Sequence, residues 1–238
     1  MHKHPVSCVS WVFLTMVAGT AHAADWNANV AVASDYIVRG LTRSLKGAAV
    51  QGSISLQGEQ PWAVGVWASS VELFEGAGHQ AEVDYFAAGE VPLSRDWRLG
   101  GQATHYDFTG ESSSFSYDYT ELTASLSYQD TITASVAWSP EYSYFARWGP
   151  VYDATMLSYE LSARHPVNRH LQLVAGVGHT DLGSAGRAYN FWSGGGEVSW
   201  ERISLSLSYV SSDKDATRLF RDRAARDAWV ATISFRIR

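Results

Sequence analysis

Apolar and polar residues alternate with period two through segment after segment of this chain. In 48–57, Val50, Ile54 and Leu56 fall on one side with Gly52, and Gln51, Ser53, Ser55 and Gln57 fall on the other. Successive side chains of a strand point to opposite faces, so the pattern predicts a strand with one apolar and one polar face. The same reading holds for 79–91, where Ala81, Val83, Tyr85 and Ala87 oppose Gln80, Glu82 and Asp84, and for 120–128, where Leu122, Ala124, Leu126 and Tyr128 oppose Glu121, Thr123, Ser125 and Ser127. It continues in 131–139, 157–164, 203–209 and 229–237. Three segments are less regular: 62–71 fits either register, 171–179 is partly apolar on both faces, and 189–200 contains Gly194-Gly195-Gly196. Glycine within a strand predicts a bulge or bend there.

Short turns separate these segments at 57–61, 92–96, 129–130, 166–169 and 200–202, and between successive short turns lies one longer connection rich in Gly, Ser, Asp and Arg. Counting segments predicts about twelve strands, an even number. Tight turns at one end, longer loops at the other and alternating strands of about ten residues describe an all-β, antiparallel up-and-down transmembrane β-barrel with both termini on the periplasmic side. Alternation alone does not say which face is inside, since a soluble barrel has an apolar interior and an outer-membrane barrel the reverse. Trp62, Trp97, Tyr128, Trp138, Trp200 and Trp229 cluster near strand ends. Amphipathic rings belong there in a membrane barrel, at the two interfaces, whereas in a β-sandwich they would fill the core.

The N terminus supports export. Lys3 and its neighbouring histidines, the apolar run 9–17 and Ala21-His22-Ala23 form a secretory signal with a small-x-small cleavage site. This predicts a signal peptide over 1–23 and a single barrel domain over 24–238. The apolar run is too short to cross a bilayer as a helix, and no later stretch reaches about 20 uninterrupted apolar residues. Cys8, inside the signal, is the only cysteine, so stability must come from a large core or a closed sheet rather than disulfides. Net charge is −6 and Lys46 and Lys214 are the only lysines beyond the signal, which leaves no basic stripe for nucleic acid.

Ser34-Asp35-Tyr36-Ile37-Val38-Arg39-Gly40 followed by Thr42-Arg43-Ser44 resembles the opening of a bacterial family of porin-type proteins called TorF or Gcw_chp, whose members carry a Ser-Asp-Tyr, Arg-Gly, Ser-x-Ser pattern after the signal. The likeness continues through Tyr119-Thr120-Glu121-Leu122, Ser125-Leu126-Ser127-Tyr128, 134–142 and 205–213. The resemblance implies an outer-membrane barrel for passive transport. The chain departs from the usual outer-membrane ending on an aromatic residue, closing instead with Phe235-Arg236-Ile237-Arg238.

With polar faces lining the lumen, the inward charged residues are Asp35, Arg39, Glu82, Asp84, Glu90, Arg98, Glu121, Glu160, Arg164, Glu197 and Arg236. Acids outnumber bases, and rings of carboxylates favour cations. Asp35 and Arg39, four apart on an expected first strand, share a face and are read as an ion pair that fixes its register. The longest external connections are expected at 140–153, rich in Tyr142, Tyr144, Phe145, Trp148 and Tyr152, and at 212–227, with Arg218, Arg221, Arg223 and Arg226 as a solvated run or a contact for lipopolysaccharide phosphates.

The expected partners are outer-membrane lipid and lipopolysaccharide, small solutes or ions, and the barrel assembly machinery. Two alternatives to a porin are a plugged structural or recognition barrel acting through its loops, and a lipid hydrolase using His105 or His179. The latter needs a nucleophile and an oriented base within hydrogen-bond reach. Neither histidine has a serine two residues on, so no enzyme is expected. No metal-ligand spacing, phosphate loop or cofactor motif stands out.

Overall fold

The computed structural model describes residues 25–58, 61–73, 80–109, 116–147, 149–183, 187–220 and 224–237; the expected signal peptide lies outside them. β1 (Asp25–Ala33) is followed by two short strands, β2 (Ile37–Val38) and β3 (Leu41–Thr42), which form a separate two-stranded hairpin, with Leu41 also bridging Ala225. Then come β4 (Ala49–Gln57), β5 (Trp62–Val71), β6 (Gln80–Pro92), β7 (Trp97–Thr109), β8 (Tyr119–Tyr128), β9 (Ile132–Ala146), β10 (Gly149–Pro166), β11 (Leu171–Asp181), β12 (Ala188–Trp200), β13 (Ile203–Ser212), a short helix α1 (Lys214–Leu219) and β14 (Ala228–Arg236). Each wall strand pairs antiparallel with its neighbours in sequence, and β14 returns to β1 through pairs such as Val32↔Ile233. The result is a closed barrel of twelve strands, β1 and β4 to β14. Closure removes the free edges that an open sheet would present to other chains.

Register settles which face is inside. On β13 Ser208 is 1% exposed and Leu207 52%, and on β11 Thr180 is 1% exposed and Val177 51%. Polar residues therefore face the interior along these strands, and the exterior is a continuous belt of Val, Leu, Ile, Tyr and Trp. Such a belt is stable against hydrocarbon and not against water, and the antiparallel ladders pair the wall backbone strand to strand around the closed sheet. Trp26, Trp62, Trp97 and Trp200 ring the short-turn end, and Trp138, Trp192 and Trp229 lie outward toward the other. Leu207→Arg on this belt is expected to cost about 2–4 kcal/mol if the residue sits near mid-bilayer, read by equilibrium unfolding in lipid vesicles; a cost near zero would place that face in water.

Two of the less regular segments, 62–71 and 189–200, have a physical explanation. β5 takes the register with Trp62 and Val64 outward and Ala63 and Trp67 inward, because Trp67 packs on Tyr36 inside the barrel at 5.3 Å between ring centres. No bulge forms at 194–196: β12 stays in unbroken register with both β11 and β13. Gly195 instead provides clearance, since a Cβ there would lie 2.3 Å from the Leu207 carbonyl oxygen. The register shifts lie between β9 and β10, around Ala154.

Two expectations need correction. Residues 140–153 are not a long loop; most of them extend β9 and β10 beyond the neighbouring strands. Tyr142 and Tyr144 turn toward the interior there, stacked at 5.9 Å, while the side chains of Phe145, Trp148 and Tyr152 lie outside the described residues. The first strand also ends at Ala33, so Asp35 and Arg39 do not share a strand face.

α1 lies in the connection between β13 and β14, and Arg221 and Arg223 of that connection lie outside the described residues. Asp213 caps α1, accepting from the amides of Asp215 and Ala216. Partial burial opposes ionisation of Asp213, but these amides and those of Asn190 outweigh it and hold its pKa below the usual carboxylate range. A depressed folded pKa gives stability that is present above the unfolded value of about 3.9 and is lost as pH falls through the folded one. Asp213→Ala is expected to cost about 1 kcal/mol at neutral pH. Thermal melts of both proteins should converge on acidification below pH ~4.

Candidate functional site

The first connection at the long-loop end, L1 (residues 34–48), folds down into the barrel. Its entry is tied to the wall, where the Ser34 amide donates to the Ala231 carbonyl and the Ala231 amide to Ser34 Oγ. Asp35 then collects the hydroxyls of Thr42 and Ser44, Ser44 Oγ accepts from the Tyr36 amide at 2.9 Å, and the Arg43 amide donates to the Tyr36 carbonyl. The Ser-Asp-Tyr and Thr-Arg-Ser pieces of the opening motif thus bind each other and close a small knot around the β2–β3 hairpin. Gly40, at φ +77°, makes the hairpin's turn and sits where a Cβ would lie 2.8 Å from Phe191 Cβ. No other residue type fits both that backbone conformation and that gap.

Two arginines descend from this knot. Arg39 forms a two-pronged contact with Glu121 of β8, with Nη2 to Oε1 at 2.9 Å and Nη1 to Oε2 at 2.8 Å, and its Nη1 also reaches Met156 Sδ. Arg43 binds Glu82 of β6 and donates to Tyr119 Oη of β8 at 2.8 Å, and its guanidinium lies 5.4–5.9 Å from the ring centres of Tyr36, Tyr106 and Phe108. Tyr36 Oη donates to Glu82 as well. Around L1 the mouth is apolar: Met156, Leu182, Tyr189, Phe191, Leu219 and Phe220 pack as one cluster with Leu41 against it, and the Thr42 amide donates to the Ala224 carbonyl. Leu41 of L1 and Ala216 and Leu219 of α1 all pack into this cluster.

Asp35 is buried in the L1 knot, and its partners are Thr42 and Ser44 rather than Arg39. That corrects the expected ion pair: Arg39, at φ +48°, turns away from Asp35 toward the far wall and Glu121. Glu82, Asp84 and Glu121 are buried on the inner face, and Glu160 is half-buried on the inner face of β10. Glu82, Asp84, Glu121 and Glu160 face two arginines, Arg39 and Arg43. Glu160 Oε1 accepts no hydrogen bond.

A second polar group lies toward the short-turn end. Arg98 pairs with Glu90 at 2.9 Å and also with Asp130, and together with Arg164 it lines a cleft of about 60 Å³ floored by Ser125, Ser127 and Thr133. Glu197 is buried beside Ser199, which donates to it at 2.9 Å, and Arg236 is half-buried at the end of β14.

Sequence reasoning missed Arg43 and its aromatic surround of Tyr36, Tyr106, Phe108 and Tyr119. The available signal was the spacing of Arg39 and Arg43 within the opening motif, masked by reading that stretch as strand.

The two histidines considered for hydrolysis face outward: His105 Nδ1 meets Thr120 Oγ1 at 3.1 Å and His179 Nδ1 meets Asn190 Oδ1 at 2.9 Å. Neither contact is with a serine. Among the described residues no group of three or more His, Cys, Asp or Glu side chains is placed to hold a metal ion.

Two solved structures share this architecture. The NanC porin superposes with a TM-score of 0.53 at 9% identity, covering 88% of this chain and 98% of that one. The KdgM porin, solved in complex with disordered oligogalacturonate, gives 0.54 at 6% identity, covering 89% and 98%. At such identities the likeness speaks to the fold. No curated protein sequence matches the chain significantly. The model of one family, described as bacterial proteins of unknown function, matches residues 17–238, which take in the L1 knot and all twelve wall strands. The chain therefore belongs to the Gcw_chp family.

Proposed function

We propose that this protein is an outer-membrane channel for passive diffusion of small solutes or ions, exported by the signal at 1–23, and that it has no catalytic role. The observation that carries this reading is the inner face of the barrel, where charged residues from L1 and three wall strands meet in a polar lumen. A barrel with a purely structural role gains little from burying four carboxylates, because each ionised group taken from water costs several kcal/mol unless paired. A solute path gives them a purpose. Since Glu82, Asp84, Glu121 and Glu160 outnumber Arg39 and Arg43, the narrow zone favours cations.

One observation favours a second reading. The seating of L1 and α1 against the apolar cluster at the mouth suits a lumen that stays shut, with loops serving recognition.

Single-channel recording of the refolded chain in a planar bilayer, under a salt gradient, separates the two. Steady openings with a reversal potential of the cation-selective sign are expected. Insertion with no current would transfer the reading to the plugged barrel, and an anion-selective current would overturn the role given to the carboxylates.

A further inference from the structure

We propose that Glu82 and Asp84 of β6, Tyr106 and Phe108 of β7 and Tyr119 of β8 form a guanidinium-binding site in the lumen, occupied by Arg43 while L1 is seated and able to take a small guanidinium-bearing solute when that side chain is absent. The proposal deepens the channel reading by naming a solute class, and rests on it for the route by which the solute arrives.

The site has the features that recognise a planar delocalised cation rather than a compact ammonium. Arg43 places one nitrogen on Glu82 and the other on Tyr119 Oη, so a forked donor is read along its plane. Aromatic rings cover it, with Phe108 at 5.4 Å and Tyr106 at 5.7 Å from the guanidinium carbon, inside the range where ring faces attract a cation. Tyr106 itself is stacked on Tyr119 at 4.3 Å, which fixes the walls before any ligand enters.

The site also has more acceptors than Arg43 uses. Glu82 is 0% exposed and Asp84 5%, and the two carboxyl groups meet each other beside the one guanidinium. Two carboxylates, two residues apart on one inward face, thus surround a single cation. Its present occupant comes from L1, whereas the five residues of the cage belong to three adjacent wall strands paired over their length. Removing the occupant therefore leaves the cage standing.

If Arg43 were only a latch for L1, its loss would be repaired by nothing in solution. If it fills a guanidinium site, methylguanidinium should repair it and methylammonium should not. The test is thermal unfolding of refolded Arg43→Ala, with Arg43→Gln as a second variant, each refolded and melted with millimolar methylguanidinium or methylammonium. Methylguanidinium at ten times its Kd is expected to raise Tm by about 3–6 °C, to leave the unsubstituted protein unmoved, and to lose its effect when Glu82→Gln is added.

Equal action of the two cations, or failure of both variants to fold even with methylguanidinium, would overturn the proposal. Bilayer recording of the same variants separates it from the channel reading. Rescue without current leaves the site and removes the channel, and current without rescue does the opposite.

Discussion

Glu82→Ala is expected to destabilise the refolded barrel by about 3–5 kcal/mol, the cost of breaking a buried ion pair on one side only. Glu82 is fully buried and accepts from Arg43 and from Tyr36 Oη. Its removal leaves a guanidinium among Tyr106, Phe108 and Tyr119 with Asp84 as the nearest replacement carboxylate on the same inward face. Asp84 relieves part of the cost, so the value should fall toward the lower end. Glu82→Gln keeps the volume and an acceptor for Tyr36, and should cost less. Denaturant unfolding in vesicles measures both. A loss below about 1 kcal/mol for Glu82→Ala would mean that the pair behaves as an exposed one, and that L1 is held by its knot and the apolar mouth instead. The same variant removes one acid from the lumen, so the cation preference proposed for the channel should weaken.

Much of the wall was readable from alternation because a membrane barrel imposes period two on both solvents at once, lipid outside and a polar interior inside. Val50, Ile54 and Leu56 on β4 and Leu205 and Leu207 on β13 alternate with serines, and these segments begin and end within three residues of the expected positions. Alternation is silent where residues do not pair with the wall. L1 carries Ile37 and Val38 and passes for strand, yet its centre is held by bonds within L1 through Asp35, Thr42 and Ser44 rather than by a wall ladder. The opposite error arose at 140–153, where prolines and aromatics resemble a loop although most of the backbone stays paired across β9 and β10.

The site was legible on its wall side and not on its loop side. The inner-face carboxylates on β6, β8 and β10 follow from parity, since each strand has one polar face. Arg43 is brought opposite Glu82 only by the positive φ of Arg39 and Gly40, and by Gly40 fitting against Phe191, a contact between residues far apart in sequence. No local pattern encodes a partner on another strand. The glycines at 194–196 make the same point from the other side: Gly195 answers to Leu207 and Ser208 on β13, and its own strand shows no bulge.

Replacing Arg39 and Arg43 together by alanine is expected to produce the largest functional change, a several-fold rise in single-channel conductance with a stronger preference for cations. These side chains project from L1 into the lumen, and each neutralises one carboxylate across it. Their removal clears two long side chains from the path and changes the formal charge of the zone formed by Glu82, Asp84, Glu121 and Glu160 from two negative charges to four. One unit charge about 7 Å from a passing ion contributes about 0.6 kcal/mol even at the dielectric constant of water, and more in a narrow lumen. That is near threefold in partition for each arginine removed, so the cation-to-anion permeability ratio should rise by at least that factor at low salt and by less at high salt. Both arginines lie in L1 rather than in a wall strand, so the backbone pairing of the wall is kept although Glu82 and Glu121 lose their partners. An unchanged current would show that α1 and the apolar mouth, rather than the arginines of L1, set the constriction. A shift toward anions would remove the carboxylates from the solute path altogether.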